Sequence, residues 1–106
     1  MAKLENVANE LAKRFILAKD KKYTLNRIIY DMNYLVYSDT KEPLTYQAKL
    51  VIFKHIFDIV AGREKLPLKD GGYLEPDFTD IVLFFERRSS ILKHLKSGVK
   101  KQAELN

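Results

Sequence analysis

The stretch YQAKLVIFKHIFDIVAG, residues 46–62, decides the fold of this chain. Five polar residues interrupt its apolar ones, namely Gln47, Lys49, Lys54, His55 and Asp58. A helix that is apolar around most of its circumference is buried between other helices. Thr45 is a good N-cap for such a helix, and Gly62 suits the position after its last turn, where a residue without a Cβ atom adopts a left-handed conformation. The stretch predicts a central, buried third helix.

Two amphipathic helices are predicted before this one. The first runs from about Leu4 to Lys19, with apolar residues at helical spacing on one side. Thr24 is the predicted N-cap of the second helix. The predicted inner face of the second helix consists of Leu25, Ile28, Ile29, Met32, Leu35 and Val36.

A fourth helix is predicted to start at Asp77 or Thr79 and to end at Gly98. Its predicted inner side consists of Phe78, Ile81, Val82, Phe85, Leu92 and Leu95, widened by Phe84 and Ile91. Arg88 and Ser89 fall within this apolar sector, which predicts a bend or loose packing near the sequence RRSS. Residues 99–106 are expected to form a flexible tail.

These elements predict an all-α fold, a four-helix bundle-like single domain over residues 1–98. Residues 63–77 lack helical periodicity, and KDGG between LPL and YLE predicts a loop or a small hairpin there. A winged helix-turn-helix is the competing fold. It would place the third helix in a DNA groove, and that helix is too apolar for this role.

Composition indicates a soluble chain in the cytoplasm. The 106 residues contain 46% apolar residues and no cysteine, which is typical of a reducing compartment. The N-terminal residues carry charges throughout, so no signal peptide is expected. The longest run of apolar residues, LVIF at 50–53, is far shorter than a membrane span, and none is expected.

The net charge of +5 is concentrated in two basic segments, residues 13–27 and 87–106, each with five more basic than acidic residues. Basic segments of this kind attract phosphate or acidic protein surfaces. In a simple up-down-up-down bundle, the ends of the first and fourth helices lie at opposite poles. Two separated patches are then expected rather than one basic face.

Sequence signals for catalysis are weak. The chain has no glycine-rich phosphate loop and no nucleophile elbow. His55 and Asp58 share a helix face, but nothing brings His94, the other histidine, to them. We expect no enzyme activity, no metal site and no cofactor.

Three short stretches carry a resemblance to a known family. The run VAGRE contains Ala61, Gly62, Arg63 and Glu64 at the end of a helix. The run YTLNRII contains Thr24 and Arg27. The run FFERRSSILK contains Phe85, Glu86 and Lys93. In this order the three runs, with the opening amphipathic helix, resemble the small α-helical subunit of type III-A CRISPR effector complexes, which serve antiviral defence.

The resemblance implies a non-catalytic subunit. Several copies would line up along the guide RNA–target duplex, hold its phosphate backbone and contact other effector subunits and each other. Arg27 and Arg63 are then the first candidates for RNA contacts, because both match the family's motifs. The further nucleic-acid-binding candidates are Lys21, Lys22, Arg87, Lys93 and Lys96. Such binding weakens steeply with salt, because each phosphate contact releases counterions.

A small basic helical protein-binding module is the alternative function. Bacteriocin immunity proteins and phage-encoded inhibitors of host proteins are modules of this size. In that case Leu17, Tyr34 and Tyr37, together with the RRSS segment, would mark the protein interface.

Overall fold

The computed structural model describes the backbone of residues 2–105 and the side chains of residues 4–96. Its elements in chain order are α1 (Ala2–Leu17), α2 (Lys21–Tyr34), α3 (Tyr46–Val60), β1 (Leu66–Pro67), β2 (Tyr73–Leu74) and α4 (Phe78–Leu105). The all-α, bundle-like fold predicted from the sequence is confirmed. Over the described residues, no helix combines the length and apolarity that crossing a membrane requires.

Helix α3 packs against both α1 and α4 and forms the centre of the core. Its buried apolar residues are Ala48, Ile52, Phe53, Ile56, Ile59 and Val60. A cluster of four aromatic rings joins three helices: the ring of Phe84 lies 5.8 Å from Phe15, 5.4 Å from Phe53 and 5.9 Å from Phe57, centroid to centroid. Burying a ring of this size contributes roughly 1.5–3 kcal/mol.

Both predicted ends of α3 are confirmed. The Thr45 hydroxyl accepts a hydrogen bond from the Ala48 amide at 3.1 Å, as an N-cap does. At the other end Gly62 has φ +79°, and the amides of Gly62 and Arg63 donate to the carbonyls of Ile59 and Asp58 at 3.1 and 2.8 Å. This pair of bonds is a Schellman motif, which satisfies the last carbonyls of the helix.

The predicted N-cap of α2 is wrong. The helix begins at Lys21, and Asp20 caps it by accepting a hydrogen bond from the Tyr23 amide at 3.0 Å. The amide of Thr24 donates to the Asp20 carbonyl, so Thr24 already lies inside the first turn. A carboxylate also interacts favourably with the positive end of the helix dipole, which a hydroxyl does not.

The C-terminal end of α2 also departs from the prediction. The helix ends at Tyr34, and its C-cap Leu35 has an extended backbone. Val36, predicted on the inner face, instead pairs with Pro43 in an isolated bridge and is exposed. Because the chain is extended here, side chains alternate between sides instead of following the helical period.

The predicted inner side of α4 is rotated relative to the observed one. Phe84, Ile91 and Leu95 are buried, whereas Phe78 and Phe85 are exposed. The apolar arc of α4 is wider than the surface that α2 and α3 cover, so part of it remains outside the core. Helix α4 is continuous through RRSS, so the chain does not leave the helix there.

Helix α4 also extends past Gly98, where its end was predicted, to Leu105. A single glycine costs about 1 kcal/mol inside a helix, and the lysine, glutamine, alanine and glutamate that follow favour helical structure. The side chains of the predicted tail, residues 99–106, lie outside the described ones, so its flexibility stays a prediction.

The predicted small hairpin is present. Strands β1 and β2 are antiparallel, with Leu66 opposite Leu74 and Pro67 opposite Tyr73. Leu66 is buried and anchors the hairpin to the core. Gly71, at φ +95°, provides the left-handed residue that the turn requires.

Lys49 is the least expected member of the core. Its side chain is fully buried at the junction of three helices. The ammonium donates to Asn33 Oδ1 on α2 at 2.7 Å and approaches the Leu95 carbonyl on α4 at 3.5 Å. Burial lowers the pKa of Lys49, because removing the charged form from water is costly.

Candidate nucleic-acid interface

The outer side of α2 carries an exposed row of aromatic and basic side chains. Tyr23, Arg27, Tyr30 and Tyr34 follow one another at intervals of four, three and four residues, which places them on one helix face. Their exposed fractions are 65%, 54%, 51% and 58%. This row, called the α2 ridge, lies opposite the face that holds the buried Leu25, Ile28, Ile29 and Met32.

Three members of the α2 ridge are stacked on each other. The guanidinium carbon of Arg27 lies 5.1 Å from the centroid of the Tyr30 ring, within cation–π range. The Tyr30 and Tyr34 rings are 4.6 Å apart at an angle of 35°. A hydrogen bond with the Tyr30 side chain raises the pKa of Tyr34, and the charge of ionised Tyr30 adds to this effect. The ridge is thus partly ordered before any ligand arrives.

The charge beside the α2 ridge is positive. The Asp31 carboxylate accepts hydrogen bonds from both terminal nitrogens of Arg14 at 3.1 Å. It also forms an ion pair with Arg27, whose Nε lies 3.4 Å away. Two guanidinium groups therefore share one carboxylate, and the three groups together carry a net charge of +1. Because these groups are exposed, the ion pairs are weak and an incoming phosphate competes with Asp31 for them.

Helix α4 brings Arg87, the first residue of the second basic segment, next to α2. Arg87 donates to Asn26 Oδ1 at 2.6 Å, and Asn33 donates to the His94 carbonyl at 3.4 Å. The contact nearer the start of α2, at Asn26, is with the residue nearer the start of α4, Arg87, and the later contact at Asn33 is with the later residue His94. The two helices therefore run parallel. Arg87, at the start of the second basic segment, therefore lies beside Asn26, near the end of the first. Parallel α2 and α4 are also what an up-down-up-down bundle has, so Lys93 and Lys96, further along α4, lie toward the pole opposite the end of α1.

The remaining basic candidates divide into three groups. Lys22 is exposed at the start of α2. Lys93 and Lys96 are exposed further along α4, and the described contacts do not join them to the α2 ridge. Lys21 faces the protein interior.

The ammonium of Lys21 joins three helices. It lies 3.0 Å from Asp80 Oδ1 at the start of α4, and it donates to the carbonyls of Phe15 and Ile16 at the end of α1. Asp80 is buried, and its other oxygen accepts the Asp77 amide at 3.1 Å. These contacts hold the Lys21 ammonium on the inner side of the protein, paired with Asp80, so Lys21 is not among the exposed candidates for an RNA contact.

Arg63 lies on a different face, in a groove between α3 and α4. Its guanidinium is 5.7 Å from the Phe57 ring, and that of Arg88 is 5.8 Å from the same ring. Arg63 also lies 3.7 Å from Asp58. The groove encloses about 420 Å³ and is lined by Leu50, Phe53, Lys54, Phe57, Asp58, Arg63, Phe85, Arg88 and Leu92. The structure does not bring Arg63 together with Arg27.

Glu64, the neighbour of Arg63 in the VAGRE run, has a structural contact. Its carboxylate lies 3.0 Å from His55 Nδ1, and His55 Nε2 lies 2.9 Å from Asn9 Oδ1 on α1. The Glu64 amide also bonds to the Asp58 carbonyl. Glu64 therefore helps to fix the end of α3 against α1.

The predicted protein-interface residues do not form one surface. Leu17 is exposed at the end of α1, and Tyr34 belongs to the α2 ridge. Tyr37 is half-buried, and its hydroxyl lies 3.4 Å from the Thr45 amide and 3.5 Å from Thr45 Oγ1, beside the cap of α3. This contact gives Tyr37 a structural role.

Sequence reasoning missed Tyr23, Arg14 and Arg88. The interval pattern 23–27–30–34 was available as a signal, but the misplaced N-cap at Thr24 left Tyr23 outside the helix. The contacts of Arg14 and Arg88 depend on tertiary packing, for which the sequence carries no local signal.

No three histidine, aspartate or glutamate side chains within residues 4–96 lie close enough to hold a metal ion. His94 bonds through Nδ1 to the Ser90 carbonyl of its own helix, away from His55. Comparison with protein-family models, curated proteins and solved structures found no match for this chain.

Proposed function

We propose that this chain is a non-catalytic RNA-binding protein that holds the phosphate backbone of an RNA duplex along the α2 ridge. The observation that carries the proposal is the row of exposed Tyr and Arg side chains on one face of α2. Arginine, lysine and tyrosine side chains all donate to phosphate oxygens. A-form RNA offers a wide, shallow minor groove, which is recognised by shape and backbone contacts.

The resemblance to the small subunit of type III-A CRISPR effector complexes supports the finer form of this proposal. In that form the chain is one of several copies along a guide–target duplex. Arg27, the motif residue of the YTLNRII run, lies on the α2 ridge, and Arg87 and Lys22 add positive charge beside it. Arg63 is left out of the RNA contact in this form.

Binding of a fluorescent RNA duplex of about 20 base pairs, followed by anisotropy over a range of salt concentrations, tests the proposal. The double variant Arg27→Ala/Arg87→Ala is expected to bind more weakly. Its plot of log K against log salt is expected to be shallower by roughly two, one for each lost phosphate contact.

The double variant Arg63→Ala/Arg88→Ala is the matched control, because it loses the same charge from the groove on the other face. It is expected to retain most of the affinity and the salt slope. Equal losses in the two double variants would show that net charge, rather than the α2 ridge, binds the RNA, and would contradict the proposal.

A protein-binding module is the second candidate, favoured by the exposed Leu17 and by the Tyr and Arg composition of the α2 ridge, which is typical of interface hot spots. Purification of the tagged chain from its native host separates the two functions. One stoichiometric protein partner that remains bound in high salt, with no RNA, would favour the module.

A further inference from the structure

We propose that α4 binds α4 of a second copy of this chain, antiparallel and related by a two-fold axis near Phe85. The surface consists of Phe78, Phe85 and Leu92, which recur every seven residues and are here called the α4 stripe. A seven-residue repeat of apolar side chains is the spacing at which two helices pack along a common seam.

Most of the α4 stripe lies outside the hydrophobic core. Phe78 and Phe85 are 78% and 57% exposed, and Leu92 is half-buried at the edge of the α3–α4 groove. The Phe85 ring rests against Phe57 at 5.6 Å between centroids, so one of its faces is supported while the rest remains in water. Two exposed phenylalanines one heptad apart on one helix form a contiguous apolar surface that is characteristic of an interface.

The charges beside the α4 stripe favour a second copy of this chain as the binding partner, in the antiparallel direction. The N-terminal end of the α4 stripe is acidic, with Glu75 and Asp77 exposed beside it. Its other end is basic, with Arg88, Lys93 and Lys96 exposed. A second copy in the antiparallel direction brings each acidic end beside a basic end, whereas a parallel copy brings like charges together. The surface is therefore complementary to itself, as a two-fold interface requires.

The register follows from the same residues. With Phe85 on the two-fold axis, Phe78 of one copy lies opposite Leu92 of the second copy, and the reverse contact is identical. The α2 ridge takes no part in this contact, so the inference goes beyond RNA binding. It is tested without RNA, so its failure would leave the proposed function standing.

Sedimentation equilibrium of the full chain over a concentration series gives the first test. We expect reversible dimerisation of the 12.4 kDa chain. Phe85→Ser is expected to raise the dissociation constant by about tenfold or more, because it removes the central anchor. Tyr30→Ser is the matched control, since it removes a comparably exposed ring from the α2 ridge and is expected to leave the dissociation constant unchanged.

Disulfide trapping tests the direction with Phe85 in place, and it keeps the proposal testable if Phe85→Ser does not fold. The chain has no cysteine, so single replacements are unambiguous. In the antiparallel pair the two copies of position 78 lie about 21 Å apart along the helices. A disulfide requires Cα atoms within about 7 Å.

We therefore expect Phe78→Cys and Leu92→Cys each to stay uncrosslinked alone and to form a mixed disulfide when combined. Self-crosslinking of either single variant, with no preference for the mixture, would show a parallel pair and overturn the proposal. A chain that sediments as a monomer at all concentrations and forms no mixed disulfide would overturn it as well.

Discussion

Burial of Lys49 is energetically costly, because its charged form is removed from water. Its ammonium is fully buried, and it donates to neutral oxygens of Asn33 and Leu95. Neutral acceptors satisfy the donors but do not compensate the charge as a carboxylate would. The sequence marks Lys49 only as a polar interruption of the apolar stretch 46–62. Its burial follows from the way α2 and α4 close over α3, which no local pattern encodes.

The lowered pKa of Lys49 predicts how stability depends on pH. Between this lowered pKa and the ordinary value of 10.5, the unfolded chain holds a proton that the folded chain has released. The free energy of unfolding therefore rises with pH across that window, and below it the cost of burying the charge is fully present. Lys49→Met removes this contribution, so its stability is expected to rise less between pH 7 and pH 10 than that of the native chain.

Urea unfolding at several pH values measures this difference. Lys54→Met is the control, because Lys54 lies on the same helix and its side chain is 80% exposed. Parallel profiles for the native chain and Lys49→Met would contradict the prediction.

At the scale of elements, the reliable predictions were those with a local chemical signal. Thr45 and Gly62 mark the ends of α3 because a hydroxyl cap and a left-handed residue are local requirements. The start of α2 was misplaced because Asp20 and Thr24 are both good caps, and only the backbone decides between them. The buried face of α4 was predicted in the wrong orientation, because the apolar residues cover so wide an arc of the helix that their pattern does not show which of them face the core. The exposure of Phe85 rather than Phe84 is a consequence of packing.

Gly62→Ala is expected to lower the free energy of unfolding by about 1 kcal/mol. The φ of +79° is strained for a residue with a Cβ atom, although the space around that atom is open. Gly72→Ala is the control, because Gly72 does not have a positive φ and its nearest contact for a Cβ, Asp70 Oδ1 at 3.7 Å, is an ordinary one. Thermal denaturation of both variants checks the prediction, and equal losses would show that the left-handed conformation is not the cause.

At the scale of the whole molecule, the parallel course of α2 and α4 determines which charges lie together. Both basic segments can be read from the sequence, but their positions in space cannot. The contacts that align α2 with α4 join residues 61 positions apart, Asn26 with Arg87 and Asn33 with His94. The sequence therefore named Arg27 as an RNA-contact candidate and Tyr34 as a protein-interface candidate, and the structure places both on the α2 ridge. The separation of this ridge from Arg63, and the inward turn of Lys21, follow from tertiary structure alone.

Lys21 contacts three helices, so its removal is expected to affect the whole fold. Lys21→Met leaves Asp80 buried without its cation, and we expect a loss of about 3 kcal/mol in the free energy of unfolding. Lys22→Met removes the same charge from the exposed neighbour and is expected to change stability by no more than about 0.5 kcal/mol. Chemical denaturation of the two variants distinguishes a structural Lys21 from a surface one, for which the two losses would be equal.

The four-ring cluster around Phe84 has a consequence for the chain as it is synthesised. Phe15 and Phe53 belong to the first half of the sequence, whereas the ring that covers both belongs to α4. Until the ribosome has added α4, the apolar surface around Phe15 and Phe53 lacks the ring of Phe84 that covers it. Exposed surfaces of this kind make nascent chains prone to aggregation. We therefore expect the nascent chain to be more prone to aggregation before α4 emerges than after it.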